Sequence, residues 1–479
     1  MKTNNLIFTF SGIRGIVGKN LNYKIIKKIA ISFGLWFNNK DKRVIIGKDT
    51  RPSGEIIEKA IIEGLIATGF KITNVGVCPT PIIIHAKNNL EIPTGIIITG
   101  SHNPQEWNGI KLLSKRTFLN NSDLTQISNN LTKINLDSYP FKKSYLSRKI
   151  VKLNPIPDYI NILFKNINLT QIKNQNDLTV VIDTGAGAGK LATPHILEKL
   201  GCKVKVINNN LLVNSKFPRE IEPIEKNLKD LIMEVWQGKY DVGFAHDSDA
   251  DRLAIIGDNG VCYPEDIGLA LITENYLKKC TGKYDKIIFV TNLASSLMFE
   301  VLAEKYNAHI IRTPIGERFL SEEMNSLLQE CKLNNENCVI FGGEGSCGGV
   351  MFPHFNNTRD GIFAAAKIIE ILTSNKKKIS NLVALLPKYY AHREKIDVSK
   401  YNIEFIINQT KKELINEGEN VSQVGWDLRF GKDKEWFVLI HPSNTEPIIR
   451  IISEAKRKSL ARIYCQTAAE LVKLVISKS

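Results

Sequence analysis

Short continuous apolar runs alternate with amphipathic stretches along most of the chain. Residues 43–47, 95–100, 178–183, 286–291 and 338–342 are largely apolar, and each run ends in a polar or glycine-rich turn. Runs this short and this apolar predict strands buried on both faces. Residues 23–37 and 55–68 instead repeat their apolar positions at helical spacing. Alternation of the two predicts α/β domains whose sheets are covered on both sides. Ligands of open α/β sheets collect at strand carboxyl ends, which is where the polar turns fall. Breaks at Asn154-Pro155-Ile156-Pro157, at Gly257-Asp258-Asn259-Gly260 and across residues 374–379 divide the chain into four segments, 1–153, 154–257, 258–375 and 376–479. The first three share the strand-then-polar-turn unit.

Composition narrows the function. At 479 residues the chain is too long for one ordinary core, and 43% hydrophobic content excludes intrinsic disorder. Lys plus Arg is 64 and Asp plus Glu is 49, a net charge of +15 that suits an anionic ligand. The cations are scattered. The densest run, Lys376-Lys377-Lys378, has no interleaved aromatics, so it reads as a solvated loop and no nucleic-acid partner is expected. No apolar run is long enough to cross a bilayer, and the N-terminus has no signal-peptide core. No membrane association is expected. Eight cysteines without a CxxC pair predict reduced thiols and a cytoplasmic location, with neither a disulfide scaffold nor a structural zinc site.

Four polar turns carry candidate chemistry. In Thr99-Gly100-Ser101-His102-Asn103-Pro104, followed by Asn108-Gly109-Ile110-Lys111, a serine after a buried strand is expected to be exposed to a substrate. A hydroxyl needs a base, a metal or prior modification to become reactive. The cations His102 and Lys111 can move protons or offset phosphate charge. The plainer reading is a helix cap with Pro104 in the first turn; it leaves the His, Asn-Gly and Lys unexplained. In Asp247-Ser248-Asp249-Ala250-Asp251-Arg252, carboxylates at alternate positions converge only around a cation, and a hard divalent ion is the simplest one. An EF-hand is excluded because Arg252 stands where glycine is needed and Asp258 where a bidentate Glu belongs. Gly342-Gly343-Glu344-Gly345-Ser346-Cys347-Gly348-Gly349 admits a ligand closely, with Glu344 and Ser346 able to grip sugar hydroxyls, although a flexible turn explains it as well. Pro442-Ser443-Asn444-Thr445-Glu446-Pro447 with Arg450 offers an anion nest, or a capped turn between strands. Gly185-Ala186-Gly187-Ala188-Gly189-Lys190 is neither a Walker A sequence nor G-x-G-x-x-G, and the strand after it ends in Asn208 with no acid for a ribose. No dinucleotide is expected.

Taken together and in this order, the four motifs resemble those of the α-D-phosphohexomutase superfamily, which comprises phosphoglucomutase, phosphomannomutase and phosphoglucosamine mutase. Residues 99–111 are similar to its phosphoserine motif, 247–252 to its metal loop, 343–346 to its sugar-specificity loop, and 443–447 with Arg450 to its phosphate-binding loop. Weaker marks are Ser11-Gly12-Ile13-Arg14-Gly15, Gly47-Lys48-Asp49-Thr50-Arg51, Thr80-Pro81 and Thr313-Pro314-Ile315-Gly316. The resemblance implies four domains around a central cleft, three similar α/β domains and a smaller C-terminal α+β domain. It implies Mg²⁺ held by Ser101, Asp247, Asp249 and Asp251, a phosphoserine at Ser101, and a hexose 1,6-bisphosphate as intermediate and activator. Arg14, His102, Lys111 and Arg252 would handle charge and protons. Gly316, Glu344, Ser346, Ser443, Asn444, Thr445 and Arg450 would hold the sugar phosphate.

The implied reaction interconverts hexose 1- and 6-phosphates, in a monomer or homodimer. The substrate is glucosamine, mannose or glucose phosphate, with a lean to glucosamine from the archaeal look of residues 343–361. Several positions depart from the family pattern. His441 stands where arginine usually opens the phosphate loop, Thr9-Phe10 replace Gly-Thr, Ser248 replaces a common glycine and is expected to strain its turn, and Cys347 is unusual. The departure at His441 supports the alternative, a sugar-phosphate-binding protein of the same fold without turnover.

Overall fold

The computed structural model describes residues 6–9, 12–115, 117–140, 149–169, 172, 177–345, 348–443 and 446–478. The chain forms two compact units, residues 1–272 with 347–383 and residues 273–346 with 384–479.

The first unit opens with strands β1 (Ile7–Thr9), β2 (Gly12–Ile16), β3 (Arg43–Lys48), β4 (Lys71–Val77), β5 (Thr94–Ile98), β6 (Trp107–Leu113) and β7 (Ile150–Lys152). They form one sheet in the order β1-β2-β6-β5-β3-β4-β7. The strands β7, β4, β3 and β5 run parallel, whereas β6 is antiparallel to both β5 and β2. The helices Tyr23–Trp36 and Gly54–Ala67 cover one face of this sheet. Ile29, Phe33, Ile57, Ile61 and Leu65 of these helices pack on Val44, Ile46, Ile96 and Ile98. Burying one such side chain is worth roughly 1.5–3 kcal/mol. Ile82 and Ile83 of the helix Thr80–Asn89 are likewise fully buried.

A second sheet in this unit contains β8 (Thr179–Asp183), β9 (Lys203–Ile207), β10 (Val242–Ala245) and β11 (Ala254–Gly257), in the order β11-β10-β8-β9. Here β8 is parallel to β9 and β10, and β11 is antiparallel to β10. The unit ends with the hairpin β15 (Val350–Phe352) and β16 (Asn356–Asp360) and the buried helix Gly361–Asn375. Asp360 caps that helix by accepting from the Phe363 N–H at 2.9 Å.

The antiparallel neighbours follow from connection length. The eight residues between β5 and β6, like the eight between β10 and β11, are too few for a parallel crossover. The turn after Ser101 therefore leads into a strand, and the helix-cap reading of Pro104 does not hold. Both charged loops are instead hairpin-type connections at strand ends.

The second unit contains the parallel set β12 (Lys286–Asn292), β13 (His309–Thr313) and β14 (Cys338–Gly343). It also holds an antiparallel sheet of β17 (Tyr390–Asp397), β18 (Ser422–Val424), β19 (Asp427–Lys432), β20 (Trp436–Pro442) and β21 (Ile448–Ala455), ordered β17-β21-β20-β19-β18. One face of that sheet is covered by the helices Ile403–Asn416 and Lys458–Ser477, through Ile406, Ile407, Leu414, Cys465 and Val472. Phe437 and Leu439, on the other face, pack on Leu293 and Leu297.

One expectation about the thiols is corrected. Cys331, at the end of the helix Glu317–Leu333, and Cys338, at the start of β14, form a disulfide with Cα atoms 6.4 Å apart. A tight helix-to-strand turn brings the two together without a CxxC spacing. Among the described residues the other cysteines are free.

Candidate active site

The Ser101 loop is built around one guanidinium. Arg51 Nη1 donates to Pro104 O and Trp107 O at 2.7 and 2.8 Å, and Nη2 donates to Ser101 O and Asn103 O at 2.7 and 2.6 Å. Its Nε reaches Asp49 Oδ2 at 3.2 Å. The same Asp49 oxygen accepts from Thr99 Oγ1 at 2.7 Å, and Thr99 Oγ1 accepts from the Ser101 N–H at 2.8 Å. These bonds hold Ser101 at φ 48°, a left-handed conformation that costs a non-glycine residue energy and persists only under such constraint.

Ser101 was expected to be exposed, and it is only 1% exposed. The metal loop covers it. Ser101 Oγ donates to Asp247 Oδ2 at 3.0 Å, and Ser248 Oγ lies 2.8 Å from both Asp49 Oδ2 and Ser101 O, sharing its one proton between them. Ser248 is thus a tie between the loops. The strain expected there is absent; the left-handed residue of the turn is Ala250, at φ 57°.

Asp247, Asp249 and Asp251 are all essentially inaccessible, with ligand atoms within 4.8 Å of one another. Each keeps one buried carboxylate oxygen, Oδ1, with no hydrogen-bond partner. Three buried oxygens without partners in a triad this close suit a hard divalent cation. Their remaining oxygens are held by donors. Lys111 Nζ reaches Asp249 Oδ2 at 2.8 Å and Asp251 Oδ2 at 3.3 Å, Arg359 Nη2 reaches Asp251 Oδ2 at 2.6 Å, and Thr80 Oγ1 reaches Asp249 Oδ2 at 2.7 Å. Burial, reinforced by Asp249 and Asp251, pushes the Asp247 carboxyl well above the usual range. Burial also works against Asp251, but Arg359, Lys111 and Arg252 outweigh it and hold that group well below the usual range. One member of the triad therefore resists ionisation while another is locked ionised, which is what three close carboxylates do until a cation joins them.

Further cations surround Ser101. Arg252 Nη2 donates to His102 Nδ1 at 3.0 Å, and His102 Nδ1 lies 3.4 Å from Ser101 Oγ. Arg252, burial and Arg14 together push His102 well below the usual histidine range, so its ring is neutral near pH 7. Arg14 Nη1 donates to Asn103 Oδ1 at 2.7 Å, and burial lowers Arg14 to about 10.

The substrate-holding residues expected from the sequence fall in the second unit. Glu344 Oε1 accepts from Asn292 Nδ2 at 3.1 Å and from the Gly316 N–H at 2.9 Å, so two predicted residues, Gly316 and Glu344, are brought together. Gly316 sits at φ 135°, where a side chain is disfavoured. In the other loop, the Ser443 N–H donates to Ile448 O at 2.9 Å, Ser443 Oγ accepts from the Glu446 N–H at 3.3 Å, and Arg450 Nη2 donates to Glu446 Oε2 at 2.7 Å. His441 pairs across the strands with Asp427, Nδ1 to Oδ1 at 2.6 Å, and both are buried. Ser346, Asn444 and Thr445, with Ser11 and Cys347, lie outside the described residues.

Sequence reasoning missed Asp427, noted Arg359 only within the archaeal look of residues 343–361, and noted Arg51 and Thr80 only as weak marks. Each acts through a partner more than 10 residues away in sequence, and no local spacing announces that.

Three families match in order: "Phosphoglucomutase/phosphomannomutase, alpha/beta/alpha domain" I over residues 5–137, domain II over 157–260 and domain III over 264–389. A "Phosphoglucomutase/phosphomannomutase" of Thermococcus kodakarensis is 34% identical, covering 97% of this chain and 98% of that one. A "Probable phosphoglucosamine mutase" of Pyrococcus abyssi is 32% identical over 98% of this chain and 99% of its own length. Among solved structures, a phosphoglucomutase/phosphomannomutase family protein from Burkholderia thailandensis superposes with a TM-score of 0.78 over 97% of both chains at 21% identity, a likeness of fold.

Proposed function

The chain belongs to the phosphoglucomutase/phosphomannomutase family, and from that premise we propose that it is a phosphohexomutase whose phosphoryl carrier is Ser101. The observation that carries this reading is Ser101 Oγ seated 3.0 Å from Asp247 in a buried triad with three orphaned carboxylate oxygens. Glucosamine phosphate is the leading substrate, supported by the names of relatives such as that of Pyrococcus abyssi. Mannose and glucose phosphates are the other candidates.

In this reading Ser101 Oγ, phosphorylated beforehand, gives its phosphoryl group to the free hydroxyl of a hexose 1- or 6-phosphate. The resulting 1,6-bisphosphate returns its other phosphoryl group to Ser101 Oγ. Atoms balance over the cycle, and the serine ends as it began. Asp247, Asp249 and Asp251, with Ser101, would hold Mg²⁺, which supplies charge neutralisation at the phosphoryl oxygens. Lys111, Arg14 and Arg252 supply the remaining positive charge. His102, whose Nδ1 accepts from Arg252 and lies 3.4 Å from Ser101 Oγ, would help to handle charge and protons there. Glu344 with Gly316 would grip sugar hydroxyls. Ser443 and Arg450, with Ser346, Asn444 and Thr445, would complete the hold on sugar and phosphate.

The four-segment division at residues 153, 257 and 375, a monomeric or homodimeric state and a cytoplasmic location belong to the same proposal. No helix of the described residues is long and apolar enough to cross a membrane.

The test is a coupled mutase assay with Mg²⁺ and a trace of hexose 1,6-bisphosphate, offering the 1-phosphates of glucosamine, mannose, glucose and N-acetylglucosamine side by side. Formation of a 6-phosphate establishes the reaction, and the rank order names the substrate. No conversion of any of them by protein phosphorylated at Ser101 overturns the reading.

A further inference from the structure

The two charged loops of the active site come from different sheets, the Ser101 loop between β5 and β6 and the metal loop between β10 and β11. Phosphoryl transfer is mainly positioning, and a misplacement of about 1 Å can cost on the order of 100-fold in rate. A segment that belongs to neither loop grips both of them. Gln105, just after the Ser101 turn, clasps it with both ends of its amide. Gln105 Nε2 donates to Ser215 O at 2.8 Å, and Gln105 Oε1 accepts from the Phe217 N–H at 3.1 Å. The Phe217 ring lies 5.7 Å from the guanidinium of Arg51, the group that collects the carbonyls of the Ser101 turn.

Two residues further on, the segment turns to the metal loop. Arg219 Nη2 donates to His246 O at 2.7 Å, one residue before Asp247, while its Nε is held by Asp183 Oδ2 at 3.0 Å. Nη1 is spent on Glu220 O and Ile221 O. The glycine-rich turn after β8 is the bed for this arrangement. Phe217 and Ile221 pack on Ala186. A side chain at Gly185 would meet Arg219 Nη2 at 2.9 Å, and one at Gly187 would meet Asp247 O at 2.8 Å and Ser248 Cα at 2.9 Å. The Ala188 N–H donates to Ser248 O at 2.8 Å. His246 braces the other end of the metal loop, with Nδ1 2.8 Å from Arg252 O and Nε2 2.9 Å from Thr193 Oγ1.

We propose that residues 215–221 are a strap that sets the spacing between the Ser101 loop and the Asp247-to-Asp251 loop, with Gln105, Phe217 and Arg219 as its positioning residues. The glycine-rich turn is then a mould for a metal loop and binds no nucleotide. The strap works at the site of the proposed function and rests on that reading for its catalytic consequence, but not for its effect on cation binding.

The test uses the full chain and Mn²⁺ as the probe. Gln105 is partly exposed, so Gln105→Ala removes the clasp without opening a core. Arg219→Lys keeps the charge but loses the forked reach. Both are expected to weaken Mn²⁺ binding, followed by calorimetry or by the spin-resonance signal of the free ion, by about tenfold, the low end for partners behind metal ligands. Gln105→Glu, which can still accept from the Phe217 N–H, is expected to recover part of that loss. In the mutase assay kcat falls while KM for the sugar phosphate is unchanged. Unchanged Mn²⁺ affinity in both variants overturns the strap, as does a loss of thermal stability in metal-free protein with unaltered Mn²⁺ affinity, which marks an ordinary structural contact. Mn²⁺ binding needs no turnover, so failure of the mutase assay and failure of the strap are read separately.

Discussion

Ser101 Oγ donates a hydrogen bond to Asp247 Oδ2 at 3.0 Å, across 146 residues of sequence. In the proposed reading a hydroxyl in that position, with its backbone locked by Thr99 and Arg51, carries a phosphoryl group beside a cation. Ser101→Ala removes the carrier and little else, since the loop is held through its backbone groups by Arg51, Thr99 and Ser248. Turnover is expected to fall by about three orders of magnitude or more. Binding of hexose 6-phosphate, measured by calorimetry, should stay within about twofold of the unsubstituted protein. Near-normal turnover in this variant sinks the mechanism.

The cation requirement has its own signature at Asp249. Its Oδ2 is held by Lys111 and Thr80, and its Oδ1 is orphaned. Asp249→Asn keeps the shape and removes the charge. The Mg²⁺ concentration for half-maximal activity is expected to rise at least about tenfold, with kcat falling as well. A chelator should abolish activity in the unsubstituted protein, and added Mg²⁺ should restore it. A variant with an unaltered Mg²⁺ requirement places the ion elsewhere.

Two buried groups outside the catalytic set predict how stability depends on pH. Asp360, which caps the helix Gly361–Asn375 and accepts from Tyr159, is pushed up to about 6 by burial, against about 3.9 in an unfolded chain. The folded state holds this proton more tightly, so its contribution is full below about pH 4 and is lost as pH rises to 6, an effect of about 3 kcal/mol. His246 runs the other way. Burial lowers it to about 4 from 6.5, so its contribution is full above pH 6.5 and is lost as pH falls to 4, again by about 3 kcal/mol. The two oppose each other in one window, and a variant separates them. Relative to the unsubstituted protein, Asp360→Asn is expected to gain about 3 kcal/mol between pH 4 and pH 6.5. Urea midpoints at several pH values check this, and a difference that stays flat with pH rules out Asp360 as the titrating group.

The parts of the site legible in the sequence are those written in short spacings. The alternating aspartates of residues 247–251, the serine turn after β5 and the strands with their polar ends are all local signals, and they converge in the structure. What stayed hidden depends on distant partners. Arg51 reads as one cation among many until its donors are seen to gather four carbonyls of the Ser101 turn. Arg359 is marked in the sequence only as part of residues 343–361, and its bond to Asp251, 108 residues away, has no local sign. The burial of Ser101 was misread for the same reason, because the loop that covers it begins in another sheet. The disulfide between Cys331 and Cys338 escaped because the turn joining helix to strand, and not a recognised spacing, brings the two residues together.

The departure at His441 yields the last prediction. Its Nδ1 lies 2.6 Å from Asp427 Oδ1, on the strand next to Arg450, with which it is paired in register. A carboxylate only accepts, so the ring donates through Nδ1 and offers just Nε2 to a ligand. An arginine at the same place could keep Asp427 on one edge of its fork and present the other to phosphate. His441→Arg is therefore expected to lower KM for the hexose phosphate about three- to tenfold with kcat nearly unchanged. Asp427→Asn, which loosens the ring of His441, should raise KM. Initial-rate measurements on both variants check the pair. If KM is indifferent to both changes, the phosphate is held by Arg450 and the Ser443 turn alone, and the histidine is a strand-to-strand tie with no part in binding.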